Sequence, residues 1–232
     1  MIAALAFLTV LGRGQPTGPR AVPWFPVVGA LVGAAVGAVW WGSNEWWPPA
    51  VAGALAVVSD LVLTGLLHVD GLADAADGLL PPMDKDARMA VMSKGDVGAF
   101  AIGVIGTVIP LRLACFASME PRLAVIAALW CASRTVMAVG ATALPPAHAG
   151  GMTALFRGAS PGPPALIGTV LCLALAVPDP ARTLAGLVGI VAGAGAVLLL
   201  SQRRLGGVTG DVLGAAGLVG ETVGLVVASA RW

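Results

Sequence analysis

Three carboxylates, Asp70, Asp74 and Asp77, fall within the stretch His68-Val-Asp-Gly-Leu-Ala-Asp-Ala-Ala-Asp-Gly78 of a chain that carries little charge elsewhere. Their spacings are i,i+4 and i,i+3. At about 100° per residue, a helix gathers all three within an arc of roughly 60°. Like charges on one face repel, and a cation between them relieves the repulsion. Hard oxygen donors with few other neighbours suit Mg²⁺. The three acids are therefore the first candidates for metal ligands and catalytic groups; a solvated helix face with three surface acids is the alternative. His68 lies roughly 160° from Asp70 on a continuous helix, so it leaves that face unless Gly71 breaks the helix. Its pKa range permits proton transfer, which makes it a candidate general base or a supporting residue.

Other polar residues are few. Lys94 and Asp96 flank Gly95 in Met92-Ser-Lys-Gly-Asp-Val-Gly98. Glycines let backbone N–H groups approach a phosphate, and a lysine adds a point charge; a plain helix-entry turn explains the glycines equally well. A second glycine-rich loop, Leu205-Gly-Gly-Val-Thr-Gly-Asp211, offers Thr209 and Asp211. Asp211 serves there either as a helix N-cap or as a further ligand of the same metal as Asp70, Asp74 and Asp77, within about 8 Å of one of them. Glu221 and Asp60 fall inside apolar segments, where a carboxylate needs a partner or a polar cavity. Arg112 and Arg134, also in apolar segments, are the natural partners. They are equally suited to hold anionic phosphates bidentately.

The chain that must position these groups has 232 residues, 58% hydrophobic and 11% charged, with a mean hydropathy of +0.92. A soluble domain carries about 25% charged residues. The composition predicts an all-α, polytopic integral membrane protein, one helical domain over 1–232. Nothing resembles a basic patch, so nucleic acid is not an expected partner; the lipid bilayer is. Cys115, Cys131 and Cys172 lie singly in apolar runs without metal-ligand spacing and read as packing residues. Met1 to Leu11 is too short to span and lacks a basic leader, which predicts an interfacial helix, not a signal peptide. Seven spans follow, at roughly 24–43, 48–67, 98–118, 123–144, 163–179, 183–200 and 208–230. Gly29, Gly33 and Gly37 form a GxxxGxxxG ridge, and Gly189/Gly193 and Gly220/Gly224 repeat it, which predicts close helix packing. Trp40, Trp41, Trp46 and Trp47 read as an aromatic belt. With the amino terminus inside, the interior loops hold Arg13, Arg20, Lys85, Arg88, Lys94, Arg157, Arg203 and Arg204, against Arg122, Arg182 and Arg231 outside. This bias predicts a cell-membrane protein whose acidic cluster faces the cytoplasm.

His68 to Gly78 resembles the H-x-D-G-L-A-D-x-x-D-G signature of the cobalamin synthases, the adenosylcobinamide-GDP ribazoletransferases. Leu205-Gly-Gly-Val-Thr-Gly-Asp-Val-Leu-Gly-Ala215 resembles their carboxyl-terminal signature. Shorter matches at 7–9, 25–29, 97–100 and 133–134 extend the resemblance over nearly the whole chain, in order. It implies an Mg²⁺-dependent membrane transferase of cobalamin biosynthesis that joins α-ribazole, or its 5′-phosphate, to adenosylcobinamide-GDP and releases GMP. The corrinoid nucleotide and the ribazole would then be substrates. Two departures stand out. Many members read M-x-D-S-R-x-G where this chain has Met92 to Gly98, which moves the acid by two positions, so no metal-ligand role is carried to Asp96. Many also have an arginine and an acid where this chain reads Ala147-His-Ala-Gly-Gly151, so no phosphate anchor is carried there.

On this reading Asp70, Asp74, Asp77 and Asp211 hold Mg²⁺ against the pyrophosphate. Lys94, Asp96, Arg112, Arg134, Thr209 and Asp211 contact substrate, and a spare carboxylate or His68 takes the proton of the attacking hydroxyl. Two rivals are a CDP-alcohol phosphotransferase, whose D-G-x-x-A-R pattern Asp70 to Ala75 does not meet, and a transporter built around Asp60, Arg112, Arg134 and Glu221. A homo-oligomer is compatible with the chain.

Overall fold

The structure, a computed structural model, describes residues 1–12, 17–148 and 150–231, with the backbone only for Met152 and Thr153. Arg13, at the head of the first loop, lies outside the described residues. Among the described residues ten α-helices run in order: α1 (Ile2–Leu8), α2 (Phe25–Asn44), α3 (Pro49–Thr64), α4 (Leu67–Leu79), α5 (Lys85–Met92), α6 (Ala99–Ser118), α7 (Leu123–Ala143), α8 (Gly162–Ala176), α9 (Pro180–Leu205) and α10 (Gly210–Ala228). Short 3₁₀ turns occupy Pro19–Trp24 and Met152–Phe156, and no strand forms among the described residues. The chain is all-α, as its composition predicts.

Among the described residues five helical stretches are long and apolar enough to cross a membrane: α2 with its leading turn, α6, α7, α9 and α10. The other two expected spans are helical but shorter, with 16 residues in α3 and 15 in α8. The elements joining them fall at two ends. At one end the loop after α7 meets the loop before α10, where Val208 N–H donates to Pro145 O at 2.9 Å and Ala147 N–H to Val208 O at 3.0 Å. At the other, Arg122 pairs with Asp179 at 3.2 Å, and Arg182 donates to the carbonyl of Ala228 at the end of α10.

Small residues set the closest helix pairs. A Cβ on Gly33 would lie 2.7 Å from the Ile126 carbonyl oxygen, and one on Gly37 3.1 Å from the Leu123 Cα, so α2 lies directly on α7. A Cβ on Gly189 would lie 3.0 Å from the Gly224 Cα, which seats α9 on α10 in the same way. The predicted tryptophan belt needs one correction. Trp41, Trp46 and Trp47 are exposed, but Trp40 is 1% exposed and packs edge-on against Phe116, with centroids 4.9 Å apart. It lies one residue before Trp41 on the helix and so on the inward face.

The predicted loop after the second span contains α4 and α5. Gly65 (φ +59°) and Leu66 (φ +62°) both take the left-handed conformation, and the chain turns by 89° between α3 and α4. Leucine pays a steric cost there that glycine does not. The amino-terminal segment braces the turn: Val10 N–H donates to Leu63 O at 2.9 Å. As a result α4 does not continue the crossing made by α3. It lies across the end of the bundle, packed on α10 and α6.

Candidate active site

The arrangement of α4 follows from its own sequence. One face is apolar, with Leu72, Ala75, Ala76 and Leu79 buried, and it must lie on other helices. Its glycines set how closely they come. A Cβ on Gly71 would lie 2.8 Å from the carbonyl oxygen of Asp211 and 3.1 Å from its Cα, so only a glycine admits the start of α10 here. The carboxyl end of α4 is met by two cations: Arg88 donates to Gly78 O at 2.7 Å and Leu79 O at 3.1 Å, and Arg204 donates to Leu79 O and Leu80 O. They satisfy carbonyls that lack intrahelical partners and complement the negative end of the helix dipole.

The four candidate acids divide. Asp70 is exposed, and Asp74 and Asp211 are half-buried. Burial, then the charges of Asp211, Asp70 and Asp77, push the Asp74 carboxyl up to about 6. Asp77 is different. It is 6% exposed, and its two oxygens accept the backbone N–H groups of Gly98 (2.6 Å) and Ala101 (3.0 Å) at the start of α6. A Cβ on Gly98 would lie 2.6 Å from Asp77 Oδ1, so this glycine serves the approach of a carboxylate of the protein itself. The expected place of Asp77 among the metal ligands is thus taken by a clamp between α4 and α6. Among the described residues no three His, Cys, Asp or Glu side chains are already gathered at metal-holding positions.

The second motif is also reassigned in part. Thr209, not Asp211, caps α10: its hydroxyl accepts the Val212 N–H at 3.2 Å. The same hydroxyl donates to Asp211 Oδ2 at 3.4 Å, and Thr209 is 4% exposed. It therefore serves the helix and not a substrate, while Asp211 has no capping duty. Gly206, with φ +71°, ends α9, and Gly207 gives room to the 145–147 segment, since a Cβ there would meet the Pro145 carbonyl oxygen at 2.6 Å. Gly206 and Gly207 therefore shape the loop.

Arg112 and Arg134 are not free to bind substrate. Both are 1% exposed. Arg112 donates to Asp60 Oδ2 at 2.8 Å and Glu221 Oε2 at 3.1 Å and lies 5.0 Å from the centroid of the Trp130 ring. Arg134 pairs with Glu221 and with Ser133 Oγ at 2.9 Å, and Trp130 Nε1 donates to Asp60 at 2.8 Å. Two cations and two anions cancel within the bundle, which is the condition for keeping charges there. Their substrate-contact role is corrected to a structural one. Lys94 and Asp96 are exposed in the loop that leads to Gly98 and hence to the Asp77 clamp.

His68 is buried, 2% exposed, and neither ring nitrogen has a hydrogen-bond partner. Burial, then the charges of Arg134 and Arg112, hold its pKa well below the ordinary value, so the ring is neutral. It lines a cavity that Asp70 and Asp211 share. One residue escaped the sequence analysis: His148 lines a second hollow of about 240 Å³ with Ser93, Thr209 and Asp211. The only available signal was that the chain has two histidines in all.

The two motifs, more than a hundred residues apart, therefore meet where α4 crosses the start of α10. A family profile described as cobalamin-5-phosphate synthase matches residues 1–229. Curated relatives named adenosylcobinamide-GDP ribazoletransferase include those of Bradyrhizobium diazoefficiens (36% identical, covering 98% of this chain and 92% of that protein) and Chlorobium chlorochromatii (36%, 93% and 89%). That of Chlorobaculum tepidum is 35% identical over 93% of this chain and 89% of its own length. No solved structure matches the chain. A match that runs unbroken through both motifs and every apolar helix makes this chain a member of the cobalamin-5-phosphate synthase family.

Proposed function

We propose that the chain joins α-ribazole, or its 5′-phosphate, to adenosylcobinamide-GDP and releases GMP, at the cytoplasmic face of the cell membrane and with Mg²⁺. The observation that carries this reading is the contact of Asp211 with Gly71, between Asp70 and Asp74. It brings acids from both family motifs to one exposed place beside a cavity. The cations Arg20, Lys85, Arg88, Lys94, Arg203 and Arg204 belong to the loops and helix ends of that side, which supports a cytoplasmic orientation.

The donor set fits Mg²⁺, which is commonly bound by one or two carboxylates together with substrate phosphates and water, not by a full protein cage. Asp70 and Asp211 would hold it; when bound, it neutralises pyrophosphate charge and stabilises the leaving GMP. Lys94, exposed on the loop between α5 and α6, would supply a flexible point charge to the remaining phosphate oxygens. The ribazole hydroxyl attacks the phosphoryl group of the corrinoid, the bond to GMP breaks, and the hydroxyl proton passes to Asp74. Burial and the neighbouring acids raise the affinity of the Asp74 carboxyl for a proton in the metal-free protein, and a carboxylate placed beside the two proposed metal ligands is a side chain suited to general-base work. The transporter reading loses support because its intramembrane charges are already paired with each other.

The test is to incubate the full chain in liposomes with adenosylcobinamide-GDP, α-ribazole and Mg²⁺. GMP and a cobalamin product should form together and stop on chelation. Absence of both from folded protein would refute the assignment.

A further inference from the structure

A slot opens on the side of the bundle between α6 and α9. These two helices flank α10 without packing closely on each other. Val219 of α10 forms the floor of the slot, and Leu72 and Leu79 on the apolar face of α4 form its roof. Val104 of α6 and Val197 and Leu200 of α9 are the walls. Every lining residue is apolar, and the recess holds about 140 Å³. Val219 is only partly covered, although every residue from Val212 to Leu218 is buried. Both walls belong to helices long and apolar enough to cross a membrane, so the slot faces hydrocarbon.

One end of the slot is basic. Val197, Leu200 and Arg204 recur at i, i+3 and i+7 and share one stripe of α9. Arg204 stands about 6 Å beyond Leu200 along the axis. Its Nη1 donates to the carbonyls of Leu79, Leu80 and Pro81, where α4 ends. Its Nε and Nη2 make no hydrogen bond among the described residues. Arg203 and Lys85 are exposed, and neither pairs with a carboxylate among the described residues. Lys85 belongs to the same place, since a Cβ on Gly206 would lie 3.8 Å from its Nζ. Arg88 joins them at the Leu79 carbonyl. These cations outnumber Asp84 and Asp86 at the start of α5, and Asp84 is already engaged by the Ala87 N–H at 2.9 Å.

A bilayer chain fills such a slot with no hydrophobic gain, because lipid tails are as apolar as leucine. Selection must therefore come from the head. A chain entering under α4 carries its phosphate to the level where α4 ends, and the cations stand there. A zwitterionic head brings its own ammonium against their field, whereas a net anionic head does not. Basic pockets between membrane helices select anionic lipid heads in this way. The slot is open on its side, so only the part of the chain next to the glycerol has to lie within it.

We propose that this slot binds one anionic phospholipid, with part of an acyl chain between α6 and α9 and its phosphate on Arg203, Arg204 and Lys85. The proposal stands apart from the transferase reading. The bound chain supports α4 from below, and the seat of α4 on α10 is what places Asp70 and Asp74.

Native mass spectrometry of the full chain tests it, with the chain released from micelles that contain equal amounts of phosphatidylglycerol and phosphatidylethanolamine of the same acyl chains. One phosphatidylglycerol per chain should be retained, at least about tenfold over phosphatidylethanolamine. Lys85→Gln with Arg203→Gln removes two cations and should weaken retention about 25-fold, at about fivefold for each cation near the headgroups. Val197→Phe fills the slot, leaves every cation in place, and should release the lipid as well. Glycerol 3-phosphate, a head without chains, should not displace it. Equal retention of the two lipids, displacement by glycerol 3-phosphate, or wild-type retention by both variants overturns the proposal. A dimer that forms without lipid and is lost in Val197→Phe assigns the slot to a second copy of the chain and overturns it too. If the variants fail to fold, the head-group preference and the glycerol 3-phosphate competition of the unaltered chain still decide.

Discussion

Replacing Asp77 by Asn separates a structural acid from the reacting ones. In the folded protein its two oxygens accept the N–H groups of Gly98 and Ala101. Asparagine keeps one acceptor and turns an NH₂ toward the other donor, so one charge-assisted hydrogen bond is lost, about 1.5–3 kcal/mol. The negative charge at the start of α6 is lost as well, about 0.3–2 kcal/mol. Together these come to about 2–5 kcal/mol, which at the 2–4 °C per kcal/mol of soluble domains this size lowers the melting temperature by about 4–20 °C. Asp70→Asn and Asp74→Asn carry no such cost, because each removes a charge from a repelling group, and their melting should equal or exceed that of the wild type. Thermal unfolding in detergent, read beside GMP release, gives both quantities. Asp77→Asn should lose activity in step with its folded fraction and recover on cooling, whereas Asp70→Asn and Asp74→Asn stay folded and inactive. Wild-type melting for Asp77→Asn, or an equal fall for all three, refutes the clamp.

Asp211→Asn should leave melting unchanged, since Thr209 holds the cap, yet raise the Mg²⁺ concentration needed for half-maximal rate at least tenfold in a metal titration. Thr209→Ala should cost about 1 kcal/mol of stability, read from chemical denaturation, through loss of the cap. Arg134→Leu leaves Glu221 buried with one cation fewer and should cost about 3–5 kcal/mol, seen as loss of folded protein on size-exclusion chromatography. The Asp74 pKa is raised in the folded state, so metal-free protein gains stability from this group as pH falls from about 7 toward 4 and loses it as pH rises through about 6. In pH–rate profiles the acid limb should fall near 6 at low Mg²⁺ and move lower at high Mg²⁺, because a cation on Asp70 and Asp211 removes the repulsion; an unmoved limb contradicts the assigned roles.

Features governed by hydropathy and spacing were legible in the sequence. The seven apolar segments are helical near their expected bounds, and the glycine ridges on α2, α9 and α10 pack as their four-residue period requires. The pairing of Arg112 and Arg134 with Asp60 and Glu221 was legible as a need, because charges inside a bilayer require partners, although the alternative use on phosphates had equal standing. What escaped depended on tertiary approach. Asp77 lies on the same arc as Asp70 and Asp74, and nothing local says that α6 begins against it. Thr209 and Asp211 are both good caps two residues apart, and the outcome depends on where Gly206 ends α9. The cavity that His68 lines also takes in residues 7, 25 and 156, which no periodicity connects.

The short α3 has a mechanical consequence. Sixteen residues at 1.5 Å each span about 24 Å, less than the roughly 30 Å of a bilayer's hydrocarbon. Because Gly65 and Leu66 turn the chain at once, with Val10 bonded just before them, there is no slack between α3 and α4 to make up the difference. A helix shorter than the hydrocarbon is accommodated by thinning of the bilayer, by snorkelling of its flanking residues or by oligomerisation, and thinning has a further consequence here. The acids on α4 would sit in a dimple, below the plane of the surrounding headgroups, within reach of amphiphilic molecules dissolved at the interface as well as those in the aqueous phase.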